Sequence, residues 1–266
     1  MADAFAPNAF AKTRDMRQAA PALVDPRHGT VRFGARTVDV DALDWDVPVD
    51  GTVYGTLLNF RGALDSLAEA MNAPPYKEPP KAPILYLKPP NTWIGHGKPI
   101  PLPDREDAVE IGAALGVVIG RTASRVKAAE AFDFVRGYTV VNDVCLPHAS
   151  LFRPPIRQRC RDGFCPIGPW VIERAAVTRP ERLTLRVFVD GGLRAENSTA
   201  HLVRSIPQLL ADVTDFMTLS PGDILHVGTP EQAPLARAGE RVRVEIEGVG
   251  WIENPVMREA ELGAAP

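Results

Sequence analysis

The stretch Gly137-Tyr138-Thr139-Val140-Val141-Asn142-Asp143 is an apolar run that ends on two polar residues. β-branched and aromatic residues favour extended backbone, so residues 138–144 read as a strand within a sheet. An amide and a carboxylate at the end of a buried strand are costly unless they are hydrogen-bonded or used. Asn142 and Asp143 are therefore the first residues to watch. Residues 113–120, a little upstream, are apolar on both faces and read as a second strand inside the same sheet. Between the two, residues 127–135 have a helical composition.

Working outward towards the amino terminus, residues 84–87 form a short strand leading to Lys88. Pro89, Pro90 and Asn91 turn the chain at once, which leaves the lysine at a strand end. The Pro-rich residues 74–83 are a surface loop or lid that stops a helix whose apolar stripe is Leu64, Leu67, Ala68 and Met71. Residues 52–58 carry a β signal that runs into Asn59. Val31, Phe33, Val38 and Val40 around Gly34 predict a short hairpin, and residues 1–26, rich in Ala and Pro with neither structural period, predict a loosely held arm.

Towards the carboxyl terminus, residues 147–169 form a long irregular stretch with Arg153, Arg157, Arg159, Arg161, Asp162 and several prolines. Segments of that kind are functional or disordered, and Phe152, Ile156 and Phe164 favour order here. A hairpin over residues 183–189 and 193–197 turns at Asp190-Gly191-Gly192. Ser205 and Pro207 open a helix with Leu209, Leu210, Val213, Phe216 and Met217 facing the core. Residues 224–227 are a strand ending at Gly228-Thr229-Pro230, and Val242, Val244 and Ile246 alternate with charged residues in a half-exposed strand.

Composition bounds the rest. The 266 residues suit one main core with a small appendage, and 45% apolar and 24% charged residues are ordinary for a globular protein. A net charge of -3 with scattered basic residues gives no footprint for nucleic acid. The longest apolar run is too short to span a bilayer, so a cytoplasmic protein without membrane contact is expected. Cys145, Cys160 and Cys165 match no zinc spacing and read as reduced thiols.

Taken in order, several junctions resemble the fumarylacetoacetate hydrolase family over roughly residues 55–258. They are Leu57-Leu58-Asn59-Phe60, Lys88-Pro89-Pro90-Asn91-Thr92, Val117-Val118-Ile119-Gly120, the stretch ending at Asp143, Arg161-Asp162-Gly163-Phe164, Leu219-Ser220-Pro221-Gly222-Asp223, Gly228-Thr229-Pro230 and Gly248-Val249-Gly250. The run from Cys160 to Gly168, with Tyr76-Lys77 before the Pro-rich loop, narrows the resemblance to the branch of isomerases and decarboxylases serving homoprotocatechuate (4-hydroxyphenylacetate) breakdown. The resemblance implies a β-rich α+β fold, a mixed β-roll. Residues 1–50 would be an N-terminal arm and small β appendage, and residues 51–266 the catalytic-type domain. It also implies a homodimer, or a hetero-oligomer with a homologous subunit, and a small dicarboxylate or tricarboxylate oxo-acid as substrate.

In that family a Glu-x-Glu pair and an aspartate bind Mg2+ or Mn2+, hard ions that take carboxylate oxygens. Asp143 matches the aspartate, but the glutamate positions fall on Gly112 and Ala114, so metal binding is expected to be weak or absent. Glu110, on the same strand face if the strand extends that far, is a substitute ligand or else part of a solvated charged lead-in. The family's water-activating histidine and glutamate fall on Ala63 and Ser66. Its lysine in the irregular segment falls on Arg159, which keeps the charge but cannot act as a neutral base.

These matches make Asp143, Lys88 and Arg159 candidate catalytic residues, and Thr229, Arg153 and Arg161 candidate substrate contacts. Each has a bland counterpart. Asp143 can cap a turn or pair with an arginine, Lys88 can lie at the surface, the arginines can hold their loop, and Thr229 can shape the turn before Pro230. His96 and His148 are candidate acid/base groups that are also ordinary loop histidines. The expected activity is isomerisation, with or without decarboxylation, of 2-hydroxyhepta-2,4-diene-1,7-dioate-type oxo-acids in aromatic-acid catabolism. The alternatives are a catalytically silent partner of a metal-bearing homologue and a metal-dependent hydrolase of fumarylacetoacetate or acylpyruvates.

Overall fold

The two apolar runs pair antiparallel inside a large sheet, with Leu115 opposite Val140 and Ala113 opposite Asn142. A computed structural model describes residues 8–74, 77–148 and 155–263. Strands β1 (Ala9–Ala11), β2 (Ala20–Asp25), β3 (Thr30–Phe33) and β4 (Arg36–Asp39) come first. β5 (Val53–Leu57) leads into the short helices α1 (Arg61–Ser66) and α2 (Ala68–Asn72). Next are β6 (Ile84–Lys88), β7 (Trp93–Ile94), β8 (Ile100–Leu102), β9 (Val109–Glu110), β10 (Ala113–Ile119) and β11 (Val135–Asn142). Helix α3 (Ile156–Arg159) precedes β12 (Cys165–Glu173), and the hairpin β13 (Thr184–Val189) and β14 (Gly192–Ser198) leads to helix α4 (Ile206–Phe216). β15 (Ile224–His226), β16 (Leu235–Ala236), β17 (Arg241–Ile246) and β18 (Gly250–Arg258) close the chain.

The larger sheet runs β4-β3-β2-β1-β12-β11-β10-β15-β5-β6, with β7 added parallel to β12. The second runs β14-β13-β17-β18-β8, and β16 pairs with β9. This is a β-rich α+β architecture. β10 is buried on both faces because each face has its own apolar partner. Leu115, Val117 and Ile119 join the main core with Tyr138 and Val140 and with Leu185, Val244 and Ile252 of the second sheet. Ala114 and Val118 face the other way, into a smaller cluster with Val141, Cys165, Ile167 and Ile224. Burying one such side chain contributes roughly 1.5–3 kcal/mol.

Four expectations change. The supposed loose arm carries β1 and β2, and β1 pairs with β12, Phe10 opposite Val171. The segment of helical composition is a 310 turn, Ala128–Phe134. The irregular stretch holds α3 and the first five residues of β12. Its prolines suggested a loop, but the β11–β12 register slips between Tyr138 and Val140, so Pro169 lies in a bulge where no ladder hydrogen bond is needed. Phe216 is 66% exposed, since the core stripe of α4 passes from Leu209, Leu210 and Val213 to Met217. Ser205 caps α4 as read, accepting from the Gln208 N–H at 3.4 Å. No helix among the described residues is long and apolar enough to cross a membrane.

Candidate active site

Asp143 follows the last residue of β11, where its N–H donates to the Gly112 carbonyl at 2.8 Å and directs the side chain inward. Its carboxylate is fully buried between two cations. Lys88 Nζ lies 2.7 Å from Oδ1, and Arg159 Nη1 lies 2.8 Å from Oδ2, which also accepts a hydrogen bond from the Tyr86 hydroxyl. Burial pushes the Asp143 carboxyl up, but Lys88 and Arg159 outweigh it and hold the group well below the usual carboxylate range. Burial likewise opposes the charge on Arg159, and Asp143 overrides it.

Lys88 is at the strand end, as its sequence suggests, yet its ammonium points into the protein. Besides its ion pair with Asp143, its three N–H groups donate to the carbonyls of Val144 and Arg159 at 2.8 Å and of Phe164 at 2.9 Å. It therefore ties the start of β12 and the end of α3 to Asp143. Arg159 lies over the Tyr86 ring at 4.9 Å and reaches partway to the surface.

Behind Tyr86 stands His226 on β15, also buried. The Gly228 N–H can only donate, and it lies 3.2 Å from Nδ1, so the ring proton is on Nε2, which donates to the Tyr86 hydroxyl at 3.1 Å. Tyr86 passes the polarity on to Asp143. Burial lowers His226 to about 4, so the imidazole is neutral near neutral pH. Burial and the Asp143 charge both raise Tyr86 well above its ordinary value. Gly55 makes the arrangement sterically possible: it stands between Tyr86 and His226 in the ladder, and a Cβ there would collide with the Tyr86 ring and lie 2.6 Å from His226 Nε2.

The other expected contacts are dispersed. Thr229 borders Gly112 through its methyl group. Arg161 pairs with Glu259 at 2.7 Å and packs over Phe164, apart from the Asp143 cluster. Arg153 and Tyr76 lie outside the described residues. His96 is buried beneath Trp251 and bonds Asp41 at 3.1 Å and the Glu253 N–H at 3.0 Å, so it is a packed histidine. Glu110 is half-buried; burial raises its carboxyl against the pull of Arg159 and His148. Asn142 Oδ1 meets no protein donor among the described residues.

With this geometry in view, likeness to known proteins becomes specific. The fumarylacetoacetate (FAA) hydrolase C-terminal family matches residues 52–257. The chain belongs to the fumarylacetoacetate hydrolase family. It is 42% identical over 212 residues to the 4-hydroxyphenylacetate degradation bifunctional isomerase/decarboxylase of Escherichia coli, covering 80% of this chain and 48% of that protein. This chain thus spans about half the length of the first curated relatives it matches. The solved 5-carboxymethyl-2-hydroxymuconate delta-isomerase of Mycobacterium smegmatis superposes with a TM-score of 0.76 at 30% identity, over 95% of this chain and 98% of that one. The maleylpyruvate hydrolase of Sphingobium sp. SYK-6, solved with manganese(II) and pyruvate, gives 0.69 at 26% identity, over 85% and 78%.

A fumarylacetoacetate hydrolase-type metal ion does not fit the residues present. Both Asp143 oxygens face cations, which would repel a divalent ion. A Cβ at Gly112 would lie 2.6 Å from the Asp143 carbonyl and 2.8 Å from the Thr229 methyl, so a glutamate has no room there. Ala114 is packed among Val141, Cys165 and Ile167. Among the described residues no three His, Cys, Asp or Glu side chains are grouped to hold an ion, Glu110 included. The water-activating positions are equally changed: Ser66 Oγ donates to the Ala63 carbonyl at 2.9 Å.

Sequence reasoning missed Tyr86 and His226. Each reads as one more residue in an apolar strand, and only the cross-strand register brings them to Asp143. The available signal was the glycines beside His226: Gly55 on β5 and Gly116 on β10 are its register partners.

Proposed function

We propose that this chain isomerises a small 2-hydroxydienoate dicarboxylate of the 2-hydroxyhepta-2,4-diene-1,7-dioate class in aromatic-acid catabolism. The observation that carries the reading is the partly exposed Arg159. Its side chain is 14% exposed while those of Asp143 and Lys88 are at 0%, so Asp143 fixes a guanidinium that is not wholly enclosed by the protein. Moving a proton along a conjugated dienol makes a dienolate, and a preorganised cation beside its oxygens lowers the barrier without reorganising. Thr229 lies beside Gly112 through its methyl group and is a candidate contact for a substrate carboxylate. Lys88 acts through Asp143, as the anchor of the cluster. The names of the Escherichia coli and Mycobacterium smegmatis relatives support the same reaction class.

The test is the ultraviolet absorbance of the dienol. Purified protein is expected to accelerate its loss, with no dependence on added manganese or on chelator. Decay at the uncatalysed rate, alone and with a homologous subunit present, would overturn the reading.

A second reading, a silent partner subunit, is favoured by a different observation. Leu87 on the edge strand β6 is 52% exposed and Phe216 is 66% exposed, and the two border one shallow apolar recess. Co-purification with a homologue bearing an intact Glu-x-Glu pair, together with inactivity alone, would select this reading over the first. Metal-dependent hydrolysis draws no support from a donor set altered at Gly112 and Ala114.

A further inference from the structure

The isomerisation needs a proton carrier, and the Asp143 cluster supplies a poor one, because its carboxylate is held ionised by two cations. A different carboxylate is placed differently. Glu231 follows Gly228-Thr229-Pro230, and its side chain lies against α1, the helix that carries Ala63 and Ser66. The fit is specific to glycine: a Cβ on Gly62 would overlap the Glu231 carboxylate. Asn197 holds one oxygen, donating from Nδ2 to Oε1 at 3.3 Å. The Asn197 amide orientation is set, since its Oδ1 accepts from the Ser198 N–H at 2.7 Å and faces His201 Nδ1 at 2.9 Å.

Oε2 of Glu231 is buried and meets no donor among the described residues. A buried carboxylate oxygen left open is unfavourable, and such groups persist where they are used. The next residue, Gln232, has a φ of 55°, a left-handed conformation that costs a non-glycine residue about 1 kcal/mol or more and is concentrated at functional sites. Glu231, Pro230, Asn197 and Gly112 line a cavity of about 170 Å³. That is room for roughly five waters, or one end of a small oxo-acid. Arg194 and Glu196 are the charged residues that share its wall. Gly112 links the two places, since its missing Cβ faces the Asp143 carbonyl and the Thr229 methyl.

We propose that Glu231 is the catalytic proton carrier of the isomerisation. This rests on the isomerase reading above. Its carboxylate takes the proton of the 2-hydroxyl; the O–H electron pair becomes the carbonyl π bond, and the C2=C3 and C4=C5 double bonds become one C3=C4 bond. The electron pair released at C5 takes the proton back from the Glu231 carboxyl. One proton moves, no electrons are lost, and the carboxylate is regenerated.

The experiment uses the full chain with 2-hydroxyhepta-2,4-diene-1,7-dioate. It reads kcat and KM from the absorbance change, deuterium entry at C5 in D2O by NMR, and the thermal midpoint. Glu231→Gln is expected to lower kcat and the C5 exchange rate together by about 100-fold or more, with KM within about threefold of wild type. Glu231→Asp keeps a carboxylate and should retain an intermediate rate. Gly62→Ala, which displaces the carboxylate without removing it, should also slow both. A Glu231→Gln enzyme within about threefold of wild-type kcat overturns the assignment and leaves the isomerase reading standing. A loss shared equally by Glu231→Asp and matched by an earlier thermal midpoint marks a structural carboxylate and overturns it too. A wild-type chain without activity overturns the parent reading and this one with it.

Discussion

Asp143 and Glu231 both hold carboxylate oxygen away from water near Gly112, and the chain treats them in opposite ways. Asp143 has Lys88 on one oxygen and Arg159 with Tyr86 on the other. Glu231 has one oxygen tethered by Asn197 and one left open. A carboxylate saturated by cations is a structural anchor and a weak base. One with an oxygen that no protein group meets among the described residues is not tied up in that way. The difference separates two tasks that a single metal-bound carboxylate set could combine: holding positive charge near the substrate, and moving a proton.

The comparison breaks first, and by the largest margin, at Asp143. Asp143→Ala would leave Lys88 and Arg159 as buried cations without their counter-ion, which costs about 3–5 kcal/mol. Urea unfolding reads this directly; a loss below about 1 kcal/mol would mean that the cluster is not the desolvated anchor described here. Acid probes its support. His226 is lowered to about 4 by burial, so the folded state resists its protonation. The unfolded state takes up that proton near pH 6.5, so this contribution is fully present above that value and is lost as pH falls towards 4, at up to 1.36 kcal/mol per unit. The total is roughly 3 kcal/mol. His226→Gln should lack that loss when unfolding free energies are compared between pH 7 and pH 4. Asp143, held below its ordinary range, adds its own loss only below about pH 4, as pH falls through its folded value.

How much of this was legible follows from the range of the signal. β10, β11 and α4 show their period or apolar character within a few residues, so their sequence alone places them. β12 did not read as a strand because Pro166 and Pro169 are local breakers, and only the bulge opposite Tyr138 explains how the second is accommodated. Lys88 was visible at its strand end. The direction of its ammonium depends on carbonyls at Val144, Arg159 and Phe164, more than fifty positions away in the chain. Glu231 was hidden for the same reason, since its neighbours Gly62 and Asn197 come from a helix and a hairpin far apart in sequence. Residues whose role arises from cross-chain contact leave only indirect marks, such as the glycines that make room for them.

A smaller effect is expected one step out from the anchor. Tyr86→Phe removes the hydroxyl that donates to Asp143 and accepts from His226 Nε2. Because the two cations remain on Asp143, the loss should be about 1.5–3 kcal/mol, the range for a hydrogen bond to a charged group. A loss as large as that of Asp143→Ala would show that Tyr86, rather than the cations, holds the cluster together.

The smallest effect is expected at the other carboxylate. Glu231→Gln keeps the shape and can keep the Asn197 contact through its amide oxygen, while it removes a charge whose second oxygen no protein group meets. Stability should change by no more than about 0.5 kcal/mol, and a small gain is the natural direction, as for functional groups held at a cost to the fold. Measured beside Asp143→Ala in the same urea titration, the pair gives the comparison a number. A loss above about 2 kcal/mol at Glu231 would make it a second anchor and erase the distinction between the two carboxylates.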